Sequence, residues 1–196
     1  MSKIRNKWDL RYGSAPERPP EACRVLQDFF HLLPAQGNAL DLACGLGGNA
    51  LFLANIGLSV QAWDISNVAI DMLNTHALSK QLLIQTEKRD IIAQPPQPGT
   101  FDVIVVSYFL HRPLVKSLSA ALRPNGLIFY QTFTRNKVPN LDLTNRGPKN
   151  PDFLLSKNEL LELFGDLQPL VYREEEQARD ITQGLHNEAL FVGKKS

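Results

Sequence analysis

The chain has 196 residues, of which 43% are hydrophobic and 21% charged, as in an ordinary globular domain. This length suits one domain with a substantial buried core. The formal net charge of +1 gives no electrostatic footprint for nucleic acid or for an anionic membrane surface. No apolar run approaches the roughly 20 residues of a membrane span. We therefore expect no nucleic-acid partner and no membrane partner.

The N-terminal sequence MSKIRNKWDLRYG has basic residues but no apolar stretch behind them, so we expect no secretory signal. The two cysteines, Cys23 and Cys44, suggest neither a disulfide framework nor a metal site. A reducing, cytoplasmic setting is the simplest interpretation.

The first 36 residues differ in character from the rest. They comprise a polar start, a Pro-rich turn over 14–20 and an amphipathic helix over about 21–33. We expect residues 1–36 to form an N-terminal helical cap on a core of residues 37–196, within one domain spanning 1–196.

Strands and helices alternate from residue 38 onward. The predicted strands are 38–43, 59–63, 82–89, 101–107, 127–132, 168–173 and 188–193. The predicted helices between them are 49–56, 68–79, 113–122 and 156–164. This alternation predicts an α/β fold with a mostly parallel, doubly wound sheet. The Pro-rich segment 90–101 is long enough to cross beneath the sheet without a helix.

A glycine-rich loop follows the first strand, in the sequence ALDLACGLGGNA over residues 39–50. Gly45, Gly47 and Gly48 allow a sharp turn from strand to helix and a close approach to a ligand. Gly45, Gly47 and Ala50 also satisfy the dinucleotide fingerprint. The glycines alone therefore do not decide between NAD and another adenosine cofactor.

Asp41 lies just before this loop, where a pyrophosphate would rest in a dinucleotide enzyme. A carboxylate there repels a pyrophosphate and attracts a cation. S-adenosylmethionine carries a sulfonium and an ammonium at that end, so Asp41 favours it over NAD. The alternative is that Asp41 only caps the loop.

Two further strand ends complete a predicted adenosine site. Asp64, at the end of the second strand, is placed to accept both ribose hydroxyls, and its pairing with the glycine loop favours this over the alternative of a helix N-cap. Ile65 would lie along the adenine face, and Asp90 and Ile91 would meet the adenine edge. Open α/β sheets bind ligands along this rim.

These motifs together resemble the class I S-adenosylmethionine-dependent methyltransferases over residues 38–132. The matching stretches are DLACGLGGN, WDIS, RDI, FDVIVVSYFLHR and LRPNGLIFYQTF, in that order. The resemblance implies a Rossmann-like seven-stranded sheet in the order 3-2-1-4-5-7-6 with the last strand antiparallel. It also implies that Asp41 and the Gly45 backbone hold the methionine end and that Asp64 holds the ribose.

WDLRYG and GPKNPDFLLSKNELLELF resemble the tellurite-resistance branch of small-molecule methyltransferases, in which the N-terminal segment folds over the cofactor. Tellurite does not follow as the substrate. Trp8, Arg11 and Tyr12 become candidate cofactor contacts, or else pin the N-terminus to the core. The full predicted cofactor-binding set is Trp8, Arg11, Tyr12, Asp41, Ala43, Gly45, Gly47, Asn49, Asp64, Ile65, Ser66, Asp90, Ile91 and Ser107.

The acceptor side carries weaker signals. The stretch from Ser107 to Arg112 follows the fourth strand, beside the expected position of the transferable methyl. His111 is a candidate general base, but because Pro113 begins a helix directly after it, a structural or cofactor-side histidine is the favoured interpretation. Arg112 is a weak catalytic candidate. The Asn/Asp-Pro-Pro-aromatic motif of DNA-amino methyltransferases is absent after this strand. Residues 150–153 (NPDF) follow the fifth strand instead and are typical of a turn.

The long segment 133–152 predicts a lid or substrate loop. Its basic residues, with Arg112, suggest an anionic acceptor, whereas the alternative is a solvated surface loop. Those basic residues are Arg135, Lys137, Arg146 and Lys149.

Three functions remain open from the sequence. The first is a small-molecule methyltransferase, the second an S-adenosylmethionine-binding regulatory protein without activity, and the third an NAD-dependent oxidoreductase. Asp41 disfavours the third.

Overall fold

The computed structural model describes residues 3–15, 20–135, 147–175 and 184–196. Within these ranges the helices are α1 (Lys3–Gly13), α2 (Arg24–Asp28), α3 (Gly48–Asn55), α4 (Asn67–Ser79), α5 (Val115–Ala121) and α6 (Glu159–Leu163). The strands are β1 (Asn38–Leu42), β2 (Ser59–Asp64), β3 (Ile84–Lys88), β4 (Phe101–Ser107), β5 (Leu122–Phe133), β6 (Gln168–Glu174) and β7 (Glu188–Lys194).

The strands form one sheet in the order β3-β2-β1-β4-β5-β7-β6. β1 pairs in parallel with β2 and β4, and β4 pairs in parallel with β5. β7 is antiparallel to β5 and to β6. The predicted fold class, strand order and antiparallel last strand are confirmed. The carboxyl ends of β1 to β5 therefore share one edge of the sheet, and the loops that follow them meet there.

Both faces of the sheet are covered. Val103 and Val105 of β4 join a hydrophobic cluster with α2, α3 and α4, while Ile104 and Val106 point to the other face and pack with α5 and α6. Burial on both faces accounts for the nearly continuous apolar sequence of β4.

The chain crosses from the edge strand β3 to the central strand β4 without a helix, as predicted. Asp90 starts this crossing with a turn, because its Oδ1 accepts hydrogen bonds from the backbone N–H groups of Ile92 and Ala93.

Several predicted helices are shorter or divided. The helix predicted over 21–33 is α2 followed by a 3-10 turn at Phe30–Leu32, because Phe29 has φ −121° and leaves the helical region. The helix predicted over 113–122 likewise opens with a 3-10 turn at Arg112–Leu114 before α5. β5 is longer than predicted and begins at Leu122, directly after α5.

The N-terminal cap is itself helical. α1 packs along α4, and none of its residues is buried. Across the described ranges, no helix combines the length and the apolar character needed to span a bilayer.

Candidate cofactor and acceptor site

Asp41 is fully buried on β1 and turns towards the start of α3. Its Oδ2 accepts a hydrogen bond from the Ala50 backbone N–H at 3.0 Å, and its Oδ1 accepts one from Asn49 Nδ2 at 3.3 Å. Burial raises the pKa of Asp41 to about 7, although these two hydrogen bonds oppose the shift. Asp41 therefore does cap the loop, because it accepts the Ala50 N–H at the start of α3.

Asn49, in the first turn of α3, is buried and hydrogen-bonded through both ends of its side-chain amide. Its Oδ1 accepts from the Cys23 backbone N–H at 2.8 Å, and its Nδ2 also donates to Ser107 Oγ at 3.0 Å. These bonds use both ends of an amide that is only 5% exposed. The geometry thus favours Asn49 as a support linking β1, β4 and the start of α2, in place of a direct ligand contact.

The glycine loop has the backbone that its sequence requires. Ala43, Gly45 and Gly47 have φ of 55°, 51° and 82°, in the left-handed region. A Cβ on Gly45 would lie 3.0 Å from the Tyr12 hydroxyl, so the end of α1 rests directly on the loop.

Asp64 joins this loop to the end of β2. Its Oδ2 accepts from the Gly45 backbone N–H and its Oδ1 from the Ser66 backbone N–H, both at 2.9 Å. Ser66, and not Asp64, caps α4, because its Oγ accepts from the Ala69 backbone N–H at 3.2 Å. The Ser66 hydroxyl also donates to Asp9 of α1 at 2.5 Å. The alternative of Asp64 as the N-cap is therefore wrong.

A cavity of about 170 Å³ lies beyond Asp64, between α1 and the ends of β2 and β3. It is lined by Arg5, Ile65, Lys88 and Asp90. Ile65 and Asp90 are the residues expected along the adenine. Ile91, also expected at the adenine edge, is 6% exposed and packs in the hydrophobic cluster on the face of α5 and α6.

The predicted N-terminal candidates form one stack. The Trp8 and Tyr12 rings stack with centroids 5.6 Å apart, and the Arg11 guanidinium lies 5.3 Å from the Trp8 centroid. Tyr12 reaches the loop, whereas Arg11 is exposed. Partial burial and the nearby Asp64 carboxyl raise the pKa of Tyr12, so its phenol stays neutral.

The acceptor side begins where β4 ends. Ser107 is tied to Asn49, and through it to Asp41. Tyr108 follows with φ +56° and is 47% exposed. His111 lies further along, partly exposed, immediately before the 3-10 turn at Arg112–Leu114.

Arg112 is held by α6 and the segment before it. Its Nη2 donates to Glu159 Oε2 and to the Leu154 carbonyl, each at 3.0 Å, and its Nε and Nη1 bind Glu159 and the Asp152 carbonyl. The ion pair raises the pKa of Arg112 and lowers that of Glu159. This geometry favours an anchoring role over catalysis.

Only the ends of the predicted 133–152 lid lie within the described residues. The Phe133 ring lies against Gly147, where an added Cβ would be 2.9 Å away, so the two ends meet. Arg135 and Lys149 are exposed, while Lys137 and Arg146 lie outside the described residues.

The charge of the site fits a cationic adenosine cofactor. Two buried carboxyls, Asp41 and Asp64, flank one glycine loop, and burial raises the pKa of both. A sulfonium or ammonium beside them would offset this negative charge, whereas a pyrophosphate would add to it. The residues present therefore fit S-adenosylmethionine.

The structure adds residues that the sequence analysis missed. Arg5 and Lys88 line the 170 Å³ cavity, and Asp9 bonds to Ser66. The helical spacing of Arg5 and Asp9 on α1 was a possible signal, but nothing in the sequence said which surface α1 covers.

Residues 39–126 match the family model described as "Methyltransferase domain". The chain is 31% identical over 138 residues to a ubiquinone biosynthesis O-methyltransferase of Albidiferax ferrireducens, a match covering 66% of this chain and 54% of that protein. The ubiquinone biosynthesis O-methyltransferase of Burkholderia vietnamiensis is 30% identical over 136 residues, a match covering 66% of this chain and 58% of that protein. The chain thus spans little more than half the length of these curated relatives.

The solved structure of TehB from Haemophilus influenzae is similar in fold. It superposes with a TM-score of 0.70 at 23% identity, covering 96% of this chain and 67% of that one. Strand order and the matched region agree: residues 39–126 match a methyltransferase domain, and the sheet that contains them has the fold of the TehB structure.

Proposed function

We propose that this chain transfers a methyl group from S-adenosylmethionine to a small acceptor. The pair of buried carboxyls beside the glycine loop carries the proposal, because it suits a ligand that is cationic at its methionine end. The curated relatives, named as O-methyltransferases of ubiquinone biosynthesis, support a small-molecule acceptor.

The proposed placement follows the rim of the sheet. Asp41 and the backbone at Ala43, Gly45 and Gly47 hold the methionine end, while Asp64, with Ser66 beside it, faces the ribose. The adenine enters the cavity lined by Arg5, Ile65, Lys88 and Asp90. Tyr12 and Trp8 close the site from α1, and Arg11 covers Trp8.

The cofactor supplies an electrophilic methyl on a sulfonium, so the protein's task is mainly to position the acceptor and exclude water. α1 excludes water on the cofactor side by resting Tyr12 on the Gly45 loop. Ser107, which is joined through Asn49 to Asp41, lies at the boundary between the proposed cofactor and acceptor sides.

Calorimetry with S-adenosylmethionine, S-adenosylhomocysteine and NAD tests the cofactor assignment. We expect both adenosyl compounds to bind and NAD to bind far more weakly. Tight binding of NAD, with no binding of either adenosyl compound, would favour the NAD-dependent oxidoreductase.

A labelled-methyl screen over hydroxyls, thiols, amines, carboxylates and metalloid oxyanions tests transfer. We expect at least one acceptor to become labelled. Cofactor binding with no labelled product would favour the inactive S-adenosylmethionine-binding protein.

The charge of the acceptor rests on the segment after β5. Because Arg112 is held by Glu159, the expected preference for an anionic acceptor now depends on Arg135 and Lys149, with Lys137 and Arg146 outside the described residues. The Arg135→Ala/Arg146→Ala variant tests it. Equal turnover of charged and neutral acceptors by this variant and the parent would remove the idea.

We also propose a cytoplasmic location. The two cysteines, Cys23 and Cys44, are both free thiols, which is typical of a reducing compartment. Fractionation of cells carrying the tagged protein would test the location, with recovery in the cytosolic fraction expected.

A further inference from the structure

A row of polar side chains crosses one face of the sheet near its carboxyl edge. Asp41, Ser107, Gln131 and Glu188 lie on β1, β4, β5 and β7. Because strand residues alternate between faces, each of the four shares the face of the cluster packed with α2 and α3. Asp41 and Ser107 belong to the cofactor side described above, and Gln131 and Glu188 extend the row beyond it.

Gln131 fixes the far half of this row. It is 1% exposed, and its Oε1 accepts from the Val25 backbone N–H at 2.9 Å. That bond determines which end of the amide faces α2, because a backbone N–H can only donate. The Nε2 must therefore point the other way, where it donates to the Tyr108 hydroxyl at 2.9 Å and to Glu188.

Tyr108 completes a triangle with these two residues. Its oxygen accepts from Gln131, which leaves its own proton to donate to Glu188 Oε2 at 3.3 Å. Tyr108 holds a left-handed backbone with φ +56°, a strained conformation for a bulky residue. The Phe133 ring, 4.9 Å away, packs beside it. Packing and hydrogen bonds thus maintain an uncommon conformation at the edge of the site.

The triangle is open to an incoming molecule. Tyr108 is 47% exposed and Glu188 is partly exposed, whereas Gln131 beneath them is buried. Tyr108 directly follows Ser107, which is joined through Asn49 to Asp41. If the cofactor lies as proposed above, the triangle therefore borders the space reached by the transferable methyl.

We propose that Tyr108 and Glu188 form the acceptor subsite, and that it takes a nucleophile that still carries its own proton: a hydroxyl, a thiol or an amine. This inference rests on the proposed methyltransferase function. As the bond from the methyl carbon to the acceptor atom forms, the bond from that carbon to the sulfonium sulfur breaks. The Glu188 carboxylate takes the proton that the acceptor atom loses, and later releases it to water.

The carboxylate at this edge assists only one class of acceptor atom. A reacting atom that is already ionised has no proton to give to Glu188 and so gains nothing from this base. An anionic group elsewhere on the acceptor remains compatible with the basic residues after β5. The subsite therefore selects for a proton on the reacting atom only. The charge of the rest of the acceptor is selected by other residues.

Paired acceptors distinguish this role from a structural one. Benzyl thiol and thiophenol are similar in size, but at mildly alkaline pH only the aromatic thiol is largely ionised, and phenol and para-nitrophenol form the equivalent hydroxyl pair at that pH. Labelled-methyl transfer to each is measured for the parent, for Glu188→Gln and for Tyr108→Phe. Glu162→Gln, an exposed glutamate on α6, is the matched control.

We expect Glu188→Gln to lower kcat for the protonated member of a pair by about 10²-fold or more, the usual contribution of a general base. The ionised member should keep its rate, because it has already lost its proton. Tyr108→Phe should raise KM for both members, and the affinity for S-adenosylmethionine, measured by calorimetry, should not change in either variant.

Three outcomes overturn the inference. They are an equal loss on both members of each pair, no loss on either, and transfer by the parent to oxyanions but to no hydroxyl, thiol or amine. In each of these the parent still binds cofactor or transfers methyl, so the proposed function stands. Failure of the parent to bind S-adenosylmethionine would instead remove the proposed function itself.

Discussion

The two halves of the site are built in different ways. The cofactor rim on β1 and β2 is local: Asp41 bonds to Ala50, nine residues away, and Asp64 bonds to Ser66. The acceptor edge is assembled from distant segments, since Tyr108 meets Glu188 across 80 residues. A short contiguous motif is enough to shape the first half, whereas the second half exists only once β5 and β7 have paired.

The halves differ in charge and burial as well. Asp41 and Asp64 are almost completely buried, and burial dominates their protonation. Tyr108 and Glu188 are partly exposed, and both accept hydrogen bonds from Gln131. The rim is therefore preorganised for one cationic ligand, while the edge is open enough to admit different acceptors.

The Asp41 carboxyl should make stability fall as the pH rises. Its pKa is raised from 3.8 to about 7 in the folded protein, so the folded state keeps a proton that the unfolded state has lost. Between about pH 4 and pH 8 this difference costs the parent about 4 kcal/mol relative to Asp41→Asn. Urea denaturation of both proteins across that range measures the change, and the comparison cancels the other titrating groups.

Cofactor binding should show the reverse trend with pH. A cationic ligand favours the ionised carboxylate, so the affinity of the parent for S-adenosylmethionine should rise between pH 6 and pH 8. The Asp41→Asn variant should bind more weakly and with a flatter profile. An affinity of the parent that falls with pH would place the cation away from Asp41.

Gly48→Ala tests the rigidity of the rim. A Cβ at this position would lie 2.3 Å from the backbone oxygen of Glu21. A backbone atom cannot move aside as the end of a flexible side chain can. We expect a loss of about 3 kcal/mol in the free energy of unfolding. Gly13→Ala is the control, because nothing lies within 4 Å of the Cβ it would add. Equal stability of the two variants would mean that the segment before α2 yields easily.

Arg112→Lys tests whether the acceptor edge uses this cation. The substitution keeps the charge but loses the two-pronged contact with Glu159, so we expect a loss of about 1–2 kcal/mol in unfolding free energy. The ratio of kcat/KM for anionic to neutral acceptors should stay the same. A changed kcat/KM ratio with an unchanged free energy of unfolding would mean that Arg112 contacts the acceptor.

The contact between α1 and the rim gives the smallest effect. Ser66→Ala removes the cap of α4 and the bond to Asp9, and should cost about 1 kcal/mol in stability. Asp9→Ala removes only the second bond, so it should leave stability within about 0.5 kcal/mol. Both should speed hydrogen exchange in α1. Unchanged exchange in both variants would mean that other contacts hold α1.

The cofactor half was largely predictable because its signals are local. The glycines, Asp41 and Asp64 occur within 24 residues of sequence, and strand ends of a parallel sheet meet at one edge. The sequence could not show which way a polar side chain points. Asn49 is as polar as a ligand-binding residue, yet its side-chain amide is hydrogen-bonded to Cys23, Asp41 and Ser107. Hydrogen-bond satisfaction depends on the whole fold.

The acceptor half was predicted poorly for the same reason. Gln131 lies in the LRPNGLIFYQTF stretch but had no role assigned to it, and Glu188 lies in no motif. Their meeting depends on the antiparallel register of β5 and β7. Arg112 looked like a free cation because Glu159 lies 47 residues further on.

Helix boundaries were missed where 3-10 turns at Phe30–Leu32 and Arg112–Leu114 interrupt the helical pattern.

A crystal structure with S-adenosylhomocysteine tests the central claim most directly. The predicted result places the amino acid end beside Asp41 and the Gly45 loop, the ribose hydroxyls at Asp64, and the adenine in the cavity lined by Arg5, Ile65, Lys88 and Asp90. The sulfur should face Ser107 and Tyr108. An adenine bound elsewhere, or a sulfur turned away from Tyr108, would contradict the account of the rim and of the acceptor edge respectively.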